Sequence, residues 1–284
     1  MCPEFFHIGP VAIRAYGVTL ALSFLIGLAI LGRQARTIGL DPDRIVSLGF
    51  VLIIFGALGA RLGFVLYHLE YFLQNPLDII NPFRVSGQFG IAGLNLQGGL
   101  LGGFLAGVIY VRRRGIAVAA AFDAVVPAVA FGIFLTRIGC FLNGCCFGNP
   151  TSGPLGVRFP DHTPPFDIFG SVAVHPTQLY SSAYGLLLFL GLWYLNRRWY
   201  RVGLATGVFL IVEAAFRFLI EPLRYYESEM ILHLNGLQPT FNQIVALGMF
   251  VMGVFFVWRA WVVEGGRRRR RDSTSDPVGT RKTP

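Results

Sequence analysis

The stretch Pro127–Gly148, PAVAFGIFLTRIGCFLNGCCFG, decides how the rest of the chain is interpreted. It begins as an apolar helix and then places Arg137 where a membrane helix rarely tolerates a charge. An arginine at the centre of a membrane helix costs about 2.5–3.5 kcal/mol on insertion, so such residues usually face a polar cavity. Asn143 and three of the four cysteines of the chain follow within a few residues. The stretch therefore predicts a polar site inside a membrane protein.

The composition supports a membrane protein. Hydrophobic residues make up 54% of the 284 residues and charged residues only 14%, whereas soluble domains carry about 25% charged residues. The net charge of +9 could suggest a nucleic-acid partner. The basic residues are concentrated in short loops and in the C-terminal tail, however, as in cytoplasmic segments of membrane proteins. We therefore expect no nucleic acid partner.

Seven stretches are long and apolar enough to cross a membrane, which takes about 20 residues per helix. The predicted fold is an all-α integral membrane protein with seven transmembrane helices. The predicted segments are Tyr16–Gly32, Ile45–Tyr67, Leu94–Val111, Val118–Cys140, Tyr180–Leu195, Gly203–Ile220 and Phe241–Val262.

The distribution of arginine predicts the orientation, because cytoplasmic flanks collect Lys and Arg. Arginine clusters follow the first, third, fifth and seventh segments, at Arg33, Arg36 and Arg44, at Arg112–Arg114, at Arg197, Arg198 and Arg201, and at Arg267–Arg271. The N-terminus is therefore predicted outside and the C-terminus in the cytoplasm. We expect a transmembrane domain at residues 1–263, which includes an extracytoplasmic cap at 141–177 between the fourth and fifth segments. A basic, disordered cytoplasmic tail is expected at 264–284.

Arg137 and Arg217 are not explained by this topology, since both lie near the predicted outer ends of their helices. Two arginines at the same depth favour an anionic ligand, and the planar guanidinium fork suits phosphate best. The alternative is an internal ion pair, with Asp123, Glu213 or Glu221 as partner. Charge alone leaves both interpretations open.

Several motifs, taken together, resemble one known family. RIGCFLNGCCFGNPTSGPLGVRFP begins at Arg137, and HPTQLY occupies His175–Tyr180. The others are Tyr16-Gly17, Gly59–Gly63, Gln97–Leu100, and Phe216–Phe218 with Glu221 and Arg224. In this order they are similar to the signature stretches of prolipoprotein diacylglyceryl transferases, and the resemblance spans nearly the whole chain.

The resemblance implies an enzyme that moves a diacylglyceryl group from phosphatidylglycerol to the lipobox cysteine of a prolipoprotein signal peptide, releasing glycerol phosphate. It implies a multi-pass protein of the bacterial cytoplasmic (inner) membrane, in contact with membrane lipids, whose active site faces outward. We expect the catalytic residues to be Tyr16, Gln97, Arg137, Cys145, His175, Arg217 and Glu221. The expected substrate-binding residues are Arg61, Gly98, Gly99, Arg137, Cys140, Asn143 and Arg217.

The chain departs from the family pattern at the positions that carry most chemistry. Gln97 stands where the family has a histidine thought to help deprotonate the acceptor thiol, and an amide cannot take that proton. Cys140 and Cys145 replace a signature Asn and Glu. Three hypotheses remain: an active transferase in which His175 or Glu221 activates the thiol, a paralogue with a cysteine nucleophile, or a non-catalytic protein that binds or transports an anionic lipid.

The cysteine cluster has its own alternatives. On the oxidising side of a membrane, Cys140 could form a disulfide with Cys145 or Cys146. A reactive thiol ranks second. A metal site that also uses His162 or His175 ranks third, because the spacing matches no zinc pattern. We therefore expect neither a cofactor nor a bound metal.

Overall fold

A computed structural model describes residues 4–8, 11–79, 93–225 and 241–274. The chain opens with an antiparallel hairpin of β1 (Glu4–Ile8) and β2 (Val11–Arg14), in which Ile8 pairs with Val11. Everything that follows in the described segments is helix, turn or isolated bridge. The predicted all-α class therefore holds for the body of the protein, and the hairpin is an addition to it.

All seven predicted segments are helices, with ends shifted by a few residues. Capping side chains set two of the starts. Asp41 accepts from the backbone N–H of Asp43 at 3.0 Å, and Asn95 accepts from Gly98 at 3.0 Å, which satisfies donors that a helix N-terminus leaves unpaired. The helices are α1 (Ala15–Thr37), α2 (Pro42–Tyr67), α3 (Leu69–Gln74), α4 (Leu96–Arg113), α5 (Val118–Asn143), α6 (Pro164–Phe169), α7 (Thr177–Arg198), α8 (Leu204–Ile220) and α9 (Phe241–Thr274).

Within the part of the chain that the structure describes, four helices are long and apolar enough by themselves to cross a membrane. They are α1, α2, α5 and the part of α9 at Gln243–Val262. The chain is thus a multi-pass membrane protein. Helix α9 continues to Thr274 and enters the basic segment for which we expected disorder. Residues 275–284 of that segment lie outside the described residues.

The helices pack mainly as pairs, α2 with α4, α1 with α5, α5 with α7, and α8 with α9. Glycine makes the α2–α4 contact possible. A Cβ atom at Gly59 would lie 3.0 Å from the Cα atom of Gly102 and would overlap the carbonyl oxygen of Gly98. Small residues let membrane helices approach to backbone contact. The glycines of the third predicted segment therefore hold α4 against α2.

The segment between α5 and α7 folds into a small ordered cap. Val174 forms bridges with Pro150 and Val157, and its backbone N–H donates to the Val157 carbonyl at 3.0 Å. Phe147, Phe159 and Val174 are buried together beneath it. The many prolines exclude a long helix in this segment. The buried cluster of Phe147, Phe159 and Val174 stabilises its fold.

Asp123 lies in the first half of α5 and is fully buried. Its carboxylate accepts from the backbone N–H of Gly203 at 2.6 Å, from the N–H of Thr206 at 2.8 Å and from the Thr206 hydroxyl at 2.7 Å. It thereby caps the N-terminus of α8, where anionic groups are stabilising. The sequence offered Asp123 as an ion-pair partner for Arg137 or Arg217. That interpretation is wrong, since the carboxylate is used for the cap.

Candidate functional site

The site is built where α5 ends. Gly144 terminates the helix in the left-handed region, at φ 73°, and its N–H donates to the carbonyls of Cys140 and Phe141. The N–H of Cys145 donates to the Cys140 carbonyl at 3.1 Å. Such a cap satisfies the last carbonyls of a helix and reverses the chain. It brings Cys145 and Cys146 back over the helix end that carries Cys140.

The three thiols form one cluster. The Sγ atoms of Cys140, Cys145 and Cys146 all lie within 4.8 Å of one another. Cys140 is buried, Cys145 is half-buried and Cys146 is exposed. All three are free cysteines, so the disulfide that we ranked first is not present among them.

Helix α7 holds this turn in place through two side chains of the HPTQLY motif. The Gln178 amide donates to the Cys145 carbonyl at 2.8 Å, and the Thr177 hydroxyl donates to the Cys146 carbonyl at 2.8 Å. Both side chains are buried. The sequence alone gave no role for either residue, although both belong to the HPTQLY motif, which marked this segment as part of the family pattern.

Tyr16 reaches the cluster because α1 lies directly against the end of α5. A Cβ atom at Gly139 would lie 3.3 Å from the Cα atom of Tyr16 and would overlap the Thr19 hydroxyl. Only glycine permits that approach. The Tyr16 side chain is 39% exposed, and it is close enough to Arg137 and to the three thiols to interact with them electrostatically.

Three arginines line a cavity near the thiol cluster. Arg137 from α5, Arg217 from α8 and Arg224 line it, together with Ile133, Ser181, Tyr184, Glu213, Phe216 and Ile220. Arg137 and Arg217, which the sequence placed at the same depth, thus line one cavity. Arg224 was part of a recognised motif, yet it was missing from the expected site.

The arginines differ in how they are held. Arg217 Nε donates to Glu213 Oε1 at 2.8 Å, and the Tyr184 hydroxyl donates to the other carboxylate oxygen at 2.9 Å. The Tyr184 ring stacks on Phe216 with centroids 3.8 Å apart. The internal ion pair that the sequence allowed thus exists for Arg217. The half-buried Arg137 makes no hydrogen bond or ion pair within the described residues.

The electrostatics of the cluster favour negative charge at its exposed thiol. The pKa of Cys146 is lowered, because the neighbouring thiols of Cys140 and Cys145 are placed to stabilise its thiolate, and because Arg137 and Arg224 place positive charge nearby. Asn143 is within hydrogen-bonding reach of Cys145. The arrangement is therefore suited to hold thiolate or phosphate charge.

Four of the expected site residues belong to the α2–α4 pair instead of lining the cavity. Arg61 donates to the carbonyls of Asp78 at 2.5 Å, Ile79 at 3.1 Å and Gly93 at 3.2 Å. It therefore fastens the turn after α3 and the chain before α4. The other three are Gln97, which is exposed, and Gly98 and Gly99, which pack against α2.

His175 and Glu221 also lie outside the cavity lining. The His175 backbone accepts from Gly148 at 2.9 Å, and its ring Nδ1 lies 3.4 Å from the Tyr180 hydroxyl. Glu221 is buried at the start of the 3₁₀ turn that ends at Leu223, and Arg224 follows this turn. The contacts of His175 join it to Gly148 and Tyr180 near the start of α7, so its catalytic role stays a prediction.

Comparisons with known proteins agree on one family. The family model described as "Prolipoprotein diacylglyceryl transferase" matches residues 3–259. The chain is 30% identical over 256 residues to a phosphatidylglycerol–prolipoprotein diacylglyceryl transferase of Clostridium tetani, covering 90% of this chain and 96% of the relative. Enzymes of the same name from Geobacter sulfurreducens and Thermus thermophilus are each 33% identical, covering 89% and 92% of this chain and 92% and 99% of the relatives.

Proposed function

This chain belongs to the prolipoprotein diacylglyceryl transferase family, and we propose that it transfers a diacylglyceryl group from phosphatidylglycerol to the cysteine of a prolipoprotein. The observation that carries the proposal is Arg137. This half-buried guanidinium has no partner in the described part of the chain, and it faces a cavity that Arg217 and Arg224 also line. A partly buried charge without a partner is unfavourable, and a ligand that supplies the opposite charge removes this cost.

The lipid phosphate carries the negative charge that the three arginines of this cavity would bind. Arg137 would bind the phosphate oxygens through its planar fork, while Glu213 and Tyr184 hold Arg217 at the other side of the cavity. Transfer breaks the bond between the diacylglyceryl carbon and a phosphate oxygen, so negative charge grows on the departing glycerol phosphate. Cations already fixed around that oxygen stabilise the transition state. Arg137 and Arg217 are thus both binding and catalytic groups.

Tyr16 and Asn143 are placed to orient the substrate. Tyr16 lies on α1 beside Arg137 and the thiols, and Asn143 ends α5 next to Cys145. A phenol and an amide can each hydrogen-bond the glycerol hydroxyls of the lipid headgroup. The apolar acyl chains then extend along the helices into the bilayer.

We further propose seven membrane crossings with the N-terminus outside, at a bacterial cytoplasmic membrane. The support is the alternation of basic loops along the chain, which follows the positive-inside rule. In this orientation the end of α5 and the cap at 141–177 lie on the outer side, where an exported signal peptide is accessible. An epitope tag at the C-terminus should then resist external protease in intact cells. Cleavage of that tag without lysis would contradict this orientation.

The test of the function is complementation. The chain is expressed in bacteria depleted of their own transferase, and lipidated prolipoprotein is measured by mass spectrometry. The purified chain is also incubated with phosphatidylglycerol vesicles and a lipobox peptide, and released glycerol phosphate is measured. A peptide with Ser in place of its Cys is the control and should give no release.

The outcomes separate the candidate functions. Lipidated peptide together with glycerol phosphate supports the proposal. Absence of both, at normal membrane expression, contradicts it and favours the alternative of a protein that binds or transports an anionic lipid. Direct binding of phosphatidylglycerol without turnover is what that alternative requires. The replacement of a histidine and a glutamate by Gln97 and Cys145 is the specific observation in its favour.

A further inference from the structure

The three thiols at the end of α5 have the geometry of a metal site. A Zn–S bond is about 2.3 Å, which places the sulfur atoms of a tetrahedral site about 3.8 Å apart. The Sγ atoms of Cys140, Cys145 and Cys146 lie within 4.8 Å of one another. Small rotations of the side chains therefore suffice to close the cluster around one ion.

The backbone of the cluster is already fixed. The left-handed cap at Gly144 orients the turn, and Gln178 and Thr177 hold the carbonyls of Cys145 and Cys146 from below. Binding would therefore need little ordering of the chain. In metal sites, hydrogen bonds of this kind to the residues that carry the ligands keep those ligands oriented toward the ion.

The cluster provides three ligands and leaves one position open. His175, which we considered as a fourth ligand, has its ring beside Tyr180. Among the described residues, only the three cysteines form the group that could hold an ion. Tetrahedral zinc with three protein ligands and one open position is the arrangement of catalytic zinc sites.

We propose that Cys140, Cys145 and Cys146 bind one thiophilic metal ion, Zn²⁺ in the first instance, through three thiolates. We propose also that the open position receives the thiol of the acceptor peptide. The second part rests on the proposed function, whereas the first does not.

Charge balance supports a metal over a disulfide. Zn²⁺ with three thiolates carries a net charge of −1, and Arg137 and Arg224 lie close enough to act electrostatically on Cys146. A disulfide would use two of the three sulfur atoms and leave the third unpaired. A three-thiolate site uses all of them. Thiolates are soft ligands that select zinc over hard cations such as Mg²⁺ or Ca²⁺.

Metal binding at the open position would provide a way to deprotonate the acceptor thiol, which the replacements at Gln97 and Cys145 removed. A thiol that coordinates zinc loses its proton, which passes to solvent, so neither Gln97 nor Cys145 needs to accept it. The resulting thiolate attacks the diacylglyceryl carbon that bears the phosphate oxygen. A sulfur–carbon bond forms and the carbon–oxygen bond breaks. The electron pair leaves with glycerol phosphate, whose charge Arg137 holds.

The experiment measures metal content of the full chain, purified in detergent with a thiol reductant and incubated with Zn²⁺ alone. We expect one zinc ion per chain by mass spectrometry of the metal. Co²⁺ in its place should give a sulfur-to-cobalt charge-transfer absorption. Cys146→Ser and Cys140→Ser should lose most of the zinc and this absorption, whereas Cys2→Ser, a cysteine outside the described residues, should keep both. Thermal unfolding of each variant confirms that it is folded.

The results divide cleanly. A chain that takes up no zinc under these conditions overturns the proposal, as does zinc that persists in a folded Cys146→Ser variant. A disulfide among the three cysteines in protein isolated without reductant, found by mapping after alkylation, also overturns it. Zinc binding without lipidation leaves the metal site standing and contradicts the proposed function. Lipidation that survives in Cys146→Ser contradicts the role given to the open position.

Discussion

The two ends of helix α5 carry one buried or half-buried charge each, and the protein treats them in opposite ways. Asp123 and Arg137 are separated by 14 residues, or about 21 Å along the helix axis. At the first end, three donors from the start of α8 surround the Asp123 carboxylate at 2.6–2.8 Å. At the second end, Arg137 faces a cavity and has no partner in the part of the chain that the structure describes.

The difference separates structural charge from functional charge. A charge whose hydrogen bonds are completed inside the fold contributes to the native state and has little left for a ligand. A charge left open in a cavity is costly until a ligand arrives, so its energy is available for binding and catalysis. Arg217 is intermediate, since Glu213 holds it while it still lines the cavity.

The largest effect is expected at the open end. Arg137→Ala should reduce diacylglyceryl transfer by about 100- to 1,000-fold, as for loss of one donor that stabilises charge in a transition state. Thermal stability should change little, because Arg137 has no internal contact of this kind to lose. Initial rates with phosphatidylglycerol vesicles measure the effect, and the exposed Arg158→Ala is the matched control. If Arg137→Ala instead lowers stability while the rate per folded molecule is unchanged, Arg137 is a structural charge like Asp123.

The next effect is expected at the closed end. Asp123→Ala leaves two buried N–H groups without an acceptor, which should destabilise the protein by about 3 kcal/mol. The rate per folded molecule should stay close to that of the parent chain. Thermal unfolding in detergent, combined with transfer rates corrected for folded protein, tests this, with exposed Asp161→Ala as control. A folded Asp123→Ala protein with no activity would show that this end also takes part in function.

A smaller effect tests how α1 reaches the open end. Gly139→Ala forces a Cβ atom onto the Thr19 hydroxyl, and overpacking of this kind costs about 1–3 kcal/mol. Because α1 carries Tyr16, the activity should fall along with the stability. Gly132→Ala on the same helix, where a Cβ atom would meet nothing within 4 Å, should change neither. Adding Thr19→Ala should restore part of the loss, and a lack of any rescue would contradict the proposed clash.

The smallest effect is expected for the intermediate case. Glu213→Gln keeps oxygen and nitrogen near Arg217 and Tyr184 but removes the negative charge. Since the Arg217 side chain is 31% exposed and a glutamine oxygen can still accept its hydrogen bond, the loss should be on the order of 1 kcal/mol. Stability and the KM for phosphatidylglycerol should therefore change only slightly. A loss of rate comparable to that of Arg137→Ala would indicate that Glu213 acts on the substrate directly.

Much of the architecture could be predicted from the sequence. The seven long helices follow from runs of apolar residues, which are a local property of the chain. The sequence also placed Arg137 and Arg217 at the same depth of the predicted membrane, but only the structure brings them to one cavity. The resemblance to the transferase family rested on motifs in order along the chain, and the family model confirms it.

Other assignments needed the contacts themselves. Arg61 was expected to bind substrate, which stays a prediction, and only the contacts show that its guanidinium donates to three backbone carbonyls. Gly98 and Gly99 were expected to bind substrate, which stays a prediction, and only the contacts show that they pack against α2. Gln178 and Thr177 support the site by donating to the carbonyls of Cys145 and Cys146. The sequence showed that they belong to a motif but did not indicate these partners. A residue type shows which bonds a side chain can make, but not which partner it finds.

The sequence by itself thus determined that this is a helical membrane protein with arginines and thiols at the end of one apolar helix. Hydropathy, charge pattern and motif order can be read directly from the residues. The bilayer requires each helix by itself to be apolar and long enough to cross it. Only the tertiary structure decided that the start of α8 supplies the hydrogen-bond donors to Asp123, that Arg137 lines a cavity, and that three sulfur atoms lie within 4.8 Å of one another. Those facts depend on the distances between helices and on the turn at Gly144, which no stretch of sequence encodes alone.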